Sequence, residues 1–163
     1  MKRSIVVVVA VAVLGAMVLA AQAPRGAQSD PKTPVYWSAQ QLKELKATMS
    51  ARVNPQTHNT GQSLIASANV IYRNGDSGSE IHEKVADFIF VHEGEGAILI
   101  GGKLMGGQQT APDEIRGDSI DGGTRQPIAA GDSIYIPAGT PHQFFVENGK
   151  HFFITIVKVP PKG

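Results

Sequence analysis

Residues 131–142, which read GDSIYIPAGTPH, constrain the fold more than any other stretch of this chain. Gly131 supplies a hairpin turn, Pro137 and Gly139 force a tight reversal, and His142 is delivered at the start of the next strand. Alternation along that strand puts Phe144 and Val146 on the same face as His142, so an imidazole stands at the mouth of an apolar interior. From Leu64–Tyr72 onward the chain reads as a series of short strands. Asn74–Gly75, Glu93–Gly96, Gly131–Asp132 and Asn148–Gly149 are turn candidates between them. This pattern predicts an all-β sandwich or barrel.

The N-terminus follows a different rule. Lys2 and Arg3 precede an unbroken small and apolar run from Ile5 to Ala20, followed by Ala21, Gln22 and Ala23. That is the tripartite pattern of a secretory signal. At about 1.5 Å per residue the apolar run is too short for a hydrocarbon core of about 30 Å. The expected division is a signal over 1–23, a Pro, Gly and Ser-rich linker over 24–34, a helix with a polar loop over 35–62, and the barrel over 63–160. Cleavage after Ala20 is an equal alternative, because cleavage after Ala23 leaves Pro24 at the new terminus. The expected location is the periplasm or the cell exterior, with no stable membrane span after processing.

Charge and cysteine usage narrow the chemistry. Fifteen Lys and Arg against fourteen Asp and Glu give no polyelectrolyte character, which argues against a mainly electrostatic nucleic-acid binder. With no cysteine, disulfides, thiolate metal sites and cysteine nucleophiles are excluded, so any metal must use His and carboxylates. Ser38 to Gln41 form a capping-box pattern, with Leu42, Leu45 and Met49 at helical spacing behind it. Eleven of the eighteen glycines lie between Gly94 and Gly139. Gly101–Gly102 and Gly122–Gly123 bracket a segment that reads equally as a long hairpin, a lid or an arm, and it carries Glu114 and Arg116.

The 131–142 stretch matches G-x5-P-x-G-x2-H at every fixed position, and so resembles the second signature of the cupin superfamily. The first signature, G-x5-H-x-H-x3,4-E-x6-G, is met as Glu80, His82, Asp87 and Gly94, with Glu for His and Asp for Glu. The initial glycine is out of register, and Val146 stands where the family usually shows Asn. The resemblance spans Leu64 to Val159 and implies a jelly-roll barrel, often a homodimer, with one mononuclear metal inside; the short helix read from the capping box precedes it.

Residue by residue, the resemblance implies Glu80, His82, Asp87 and His142 as the metal shell. Glu83 is the alternate carboxylate or a general base. Lys84, two residues beyond His82, reads first as a solvated turn residue, with an inward cation or proton donor as its other reading. Phe144, Val146 and Arg116 are expected around an apolar-walled pocket for a small-molecule ligand. Two imidazoles and two carboxylates suit one divalent Fe, Mn, Ni or Zn ion. The expected function is a metal-dependent enzyme of dioxygenase or isomerase type on a small oxygenated organic substrate; the alternative is a non-catalytic ligand-binding cupin. Fold alone does not choose, because cupins host many unrelated reactions.

Overall fold

The computed structural model describes residues 32–54 and 57–160. The expected signal over 1–23 and most of the expected linker over 24–34 lie outside the described residues. Helix α1 (Ala39–Ser50) begins as its sequence predicts. The Ser38 hydroxyl accepts from the Gln41 amide at 3.2 Å, and the Gln41 side chain accepts from the Ser38 amide at 2.9 Å.

Twelve strands follow: β1 (Asn59–Ile65), β2 (Ala68–Arg73), β3 (Ser79–His82), β4 (Ala86–Ile100), β5 (Lys103–Met105), β6 (Gln108–Ala111), β7 (Glu114–Gly117), β8 (Ser119–Asp121), β9 (Thr124–Ala129), β10 (Ser133–Ile136), β11 (His142–Phe145) and β12 (Phe152–Val159). Ten of them form one antiparallel sheet in the order β1-β2-β12-β4-β11-β3-β7-β6, with β9 and β10 also pairing β4; β5 and β8 pair with each other.

The sheet curls because β4 belongs to both halves of it. Its first half, from Ala86 to Gly94, pairs with β12, and Asp87–Phe90 within it pairs with β10. Its second half, from Glu95 to Ile100, pairs with β9, and Ala97–Ile100 with β11. Between the halves Gly94 takes φ +90°, and a Cβ there would stand 1.6 Å from the His151 carbonyl oxygen. Only glycine meets both demands. Glu93–Gly96, read from sequence as a turn, is therefore a bend inside a fifteen-residue strand. The β12 partner shows a register irregularity between Phe153 and Ile154, beside this bend.

The curled sheet encloses one apolar core, contributed by both halves. Ile89, Val91, Ile154 and Ile156 meet Ile98, Ile128 and Phe144 there, all buried. On the outside, α1 lays Met49 over Val70 and Phe153, with Leu42 and Leu45 alongside. Burying such a helix stripe on a sheet face is what its apolar spacing serves.

Two boundaries differ from the sequence reading. The polar residues Asn59–Gln62, expected in a loop, begin β1, since they pair with Arg73–Val70 of β2. Leu64–Tyr72, expected to open the series of strands, spans the hairpin between β1 and β2. The glycine-bracketed segment is a doubled hairpin: β5 pairs β8 at its base, while β6 and β7 extend the main sheet next to β3. Among the described residues no helix is long and apolar enough to cross a membrane.

Candidate metal centre

The site is assembled by register. In β3 and β11, His142 stands opposite Glu80. In β3 and β7, Glu80 stands opposite Arg116 and His82 opposite Glu114. Directly opposed residues of an antiparallel pair share a face, so these side chains converge on the inside of the barrel. Asp87, at the start of β4, arrives on the same face beside Ile136 of β10.

Local hydrogen bonds fix these strands against one another. The Gly139 amide donates to the His82 carbonyl at 2.7 Å, tying the Pro137–Gly139 reversal to the end of β3. Ser77 donates its amide to the Phe144 carbonyl at 2.9 Å, and its hydroxyl accepts from the Phe144 amide at 2.8 Å. Gln143 donates to the Ser77 carbonyl at 2.8 Å. Glu80, His82 and His142 thus ride on two strands, β3 and β11, stitched together from both ends.

Glu80, His82 and His142 each offer a donor atom, and the three lie within 4.8 Å of one another. Donors on a single ion at about 2.0–2.2 Å stand up to about 4.4 Å apart, so a small inward shift closes the set. The test of fit is His142. Its Nδ1 lies 3.1 Å from the Thr140 carbonyl, which can only accept, so Nδ1 carries the proton. Its Nε2 is buried without a hydrogen-bond partner. That bare nitrogen faces Glu80 Oε1 at 3.5 Å and Asp87 Oδ2 at 3.8 Å. Neutral, it would point a lone pair at two carboxylates. The arrangement calls for a positive charge between them, a proton on Nε2 or a metal ion, and the donor set fits a metal.

The carboxylates are held ionised. Burial pushes Glu80 up, but the His142 imidazole 3.5 Å away, with Arg116 and His82 adding, outweighs it and holds the group at about 2. Arg116 reaches Glu80 Oε2 at 2.8 Å and Glu114 at 2.7 Å. Asp87 is likewise lowered, burial opposing and the contacts with His82 and Lys158 prevailing. Lys158 lies 2.5 Å from Asp87 Oδ1, while Oδ2 faces His82 Nε2 at 3.4 Å.

The residues named from the sequence separate cleanly. Glu80, His82 and His142 form the donor cluster, and Arg116 holds its carboxylate. Asp87 adjoins the two imidazoles but lies outside the mutually close set, its other oxygen engaged by Lys158. Glu83 is exposed and accepts from Gln109 at 3.2 Å, and Lys84 is exposed and pairs with Asp113 at 2.6 Å. Neither lines the cavity: both follow β3 into the turn, beyond the register that aims side chains inward. Phe144 and Val146 share the His142 face as expected but are buried in the core.

The cavity, about 280 Å³, has mixed walls, in which Ile71 and Ile156 stand among polar and charged residues, where apolar walls were expected. Glu80, His82, Asp87, Glu114, Arg116 and Lys158 line it together with Arg73 and Asn69 of β2. His142 is buried and does not line it, so an ion on all three donors would sit at the inner wall. Arg73, Lys158 and the wall position of Glu114 were missed from sequence. Their signal was parity, since Asn69, Ile71 and Arg73 alternate with the outward Val70 and Tyr72, but parity has no inside until partners are known.

No family model and no curated protein matches the sequence. Solved structures do match it. A conserved protein of unknown function from Streptococcus pyogenes superposes over 84% of this chain and 99% of its own, at a TM-score of 0.53 and 16% identity. An uncharacterized conserved protein with a double-stranded β-helix domain from Klebsiella pneumoniae does so over 78% and 91%, at 0.50 and 16%. The polyketide cyclase RemF from Streptomyces resistomycificus matches 62% of this chain, which spans 64% of that protein's length, at 0.44 and 19%. The double-stranded β-helix is the cupin architecture, and the chain has the fold of the cupin superfamily.

Proposed function

We propose that the protein is an exported cupin that binds one divalent metal ion through Glu80, His82 and His142 and acts as an enzyme on a small oxygenated organic molecule. The observation that carries this reading is the buried His142 Nε2, bare of any partner and aimed at two carboxylates. Two imidazoles and one carboxylate are the donor set that non-haem iron sites use with open coordination positions, and dioxygenase or isomerase chemistry is compatible with it. When bound, the ion supplies Lewis acidity or an oxygen-binding centre.

The chain's own residues supply the rest. Arg116 holds Glu80 in its ionised form and orients it. Glu114, on the cavity wall opposite His82, replaces Glu83 as the carboxylate placed to take a proton. A second reading, a non-catalytic binding barrel, is favoured by one observation: Glu114 is itself engaged by Arg116 and Thr110, which leaves the cavity without a free base.

The test is elemental analysis of tag-free protein purified without chelator, beside His142→Ala. About one equivalent of a single transition metal, lost in the variant, is the expected result. Metal far below stoichiometry, with no rise in Tm on adding Fe(II), Mn(II), Ni(II) or Zn(II), overturns the reading. Oxygen uptake by the Fe(II)-loaded protein with diols, phenols and keto acids then separates enzyme from binding barrel.

A further inference from the structure

Three cationic side chains line the cavity, and two of them are accounted for. Arg116 is paired with Glu80 and Glu114, and Lys158 with Asp87. Arg73 is not. It is 8% exposed, its Nε and Nη1 are buried without a hydrogen-bond partner, and among the described residues no carboxylate comes within ion-pair distance of it. A buried guanidinium with unmet donors is costly, because it has given up water without receiving an acceptor. Burial disfavours its charge, with Glu80, and more weakly Asp76, offsetting this at longer range and Arg116 opposing them.

Position and packing aim this group at the cavity. Arg73 ends β2 on the inward parity shared by Asn69 and Ile71, all three lining the cavity. Its Cζ stands 5.8 Å from the centroid of the Phe144 ring, an aromatic face against which a planar cation is held. The cavity's three cations face three carboxylates, Glu80, Asp87 and Glu114. A divalent ion on the donor set leaves this wall with surplus positive charge, which an anionic ligand neutralises. The volume of about 280 Å³ lies just below the range usual for drug-sized ligands, so the ligand is small.

We infer that the cavity binds a small organic carboxylate, whose carboxylate group is held by the Arg73 guanidinium. The fork of a guanidinium matches the two oxygens of a carboxylate, and no other cation in this cavity is free to offer it. This names the substrate class of the site proposed above and rests on reading that cavity as the ligand site. Arg73 acts as a binding residue, and its role does not require the metal.

The experiment is calorimetric titration of the tag-free protein, chelator-stripped and metal-loaded in separate runs, with acetate, lactate, malonate and benzoate. Lactamide and inorganic phosphate serve as comparison ligands. At least one carboxylate is expected to bind the stripped protein, lactamide is not, and Arg73→Met is expected to weaken binding about tenfold or more. Arg73→Lys, which keeps the charge and loses the fork, is expected to fall between. Because Arg73→Met removes an unpartnered buried charge, its Tm is expected at or above that of the parent, which separates lost binding from lost folding. The inference is overturned if no carboxylate binds, if the amide binds as well, if phosphate is preferred, or if Arg73→Met leaves affinity unchanged. Arg73-dependent binding without metal uptake sustains this inference and sinks the metal reading. One equivalent of metal without carboxylate binding does the reverse.

Discussion

Asp87 shows how a single side chain can belong to the site without being one of its donors. It is 2% exposed, and the charge it keeps there is balanced by Lys158 on one oxygen and faced by the imidazoles on the other. Lys158→Met keeps the volume and leaves the carboxylate buried without its cation, which is expected to cost about 3 kcal/mol in urea unfolding at pH 7. Asp87 has its folded-state value lowered. Its stabilisation is therefore complete above its ordinary unfolded value, about 3.8, and is lost as pH falls through the lower folded value. The gap between parent and Lys158→Met is expected to narrow below about pH 4; a gap constant from pH 7 to pH 3 would detach Lys158 from Asp87. At this scale the sequence was half legible. Glu80, His82 and His142 lie in two short strings that resemble the cupin signatures, and that resemblance marked them as inward donors, whereas Arg73 and Lys158 sit on apolar strands where one charged residue looks like an edge or an end. Glu83 was misplaced because a count along β3 does not say where β3 stops, whereas the solvated-turn reading of Lys84 holds.

Among the elements, β4 makes the barrel, and Gly94 lets β4 bend. Gly94→Ala must place a methyl group on the His151 carbonyl at φ +90°, so it is expected to cost about 3 kcal/mol or more, a fall in Tm of about 10 °C. Gly131→Ala is the comparison. Gly131 has a similar φ of +96° but nothing within 4 Å of the added carbon, so only the backbone term remains, about 1–2 kcal/mol. Equal losses at the two positions would mean that backbone strain, and not the close approach of β12, makes glycine necessary at the bend. The same comparison explains why Gly131 was legible as a turn and Gly94 was misread. A glycine announces a special dihedral angle, but whether the chain reverses or continues depends on the strands that pair beyond it, here β12 before the bend and β9 after it. Helix α1 was legible to its cap because capping box and apolar spacing are local. Strand β1 was not, since its first residues are polar, Asn59 and Gly61 lining the cavity, and such a start reads as a loop.

For the whole molecule, the donors tie together parts of the chain that are far apart in sequence. Glu80 and His82 come from β3 and His142 from β11, so an ion held by all three cross-links the barrel across some sixty residues and exists as a site only in the folded state. Binding to the native state alone stabilises it by mass action, about 2.7 kcal/mol when free metal is one hundred times its Kd. The expected consequence is a rise in Tm of several degrees on adding the metal found by elemental analysis, reversed by chelator and absent in His142→Ala. Acid should remove this gain by one route. Metal binding releases the protons its donors carry, so acid competes with the ion, and Glu80, held at about 2, is not the donor that acid reaches first. The metal-dependent part of Tm is therefore expected to vanish in mild acid while Glu80 remains ionised. A gain that persists down to pH 3 would mean that carboxylates hold the ion without the imidazoles, and the bare Nε2 of His142 would then be closed by a proton instead of a metal.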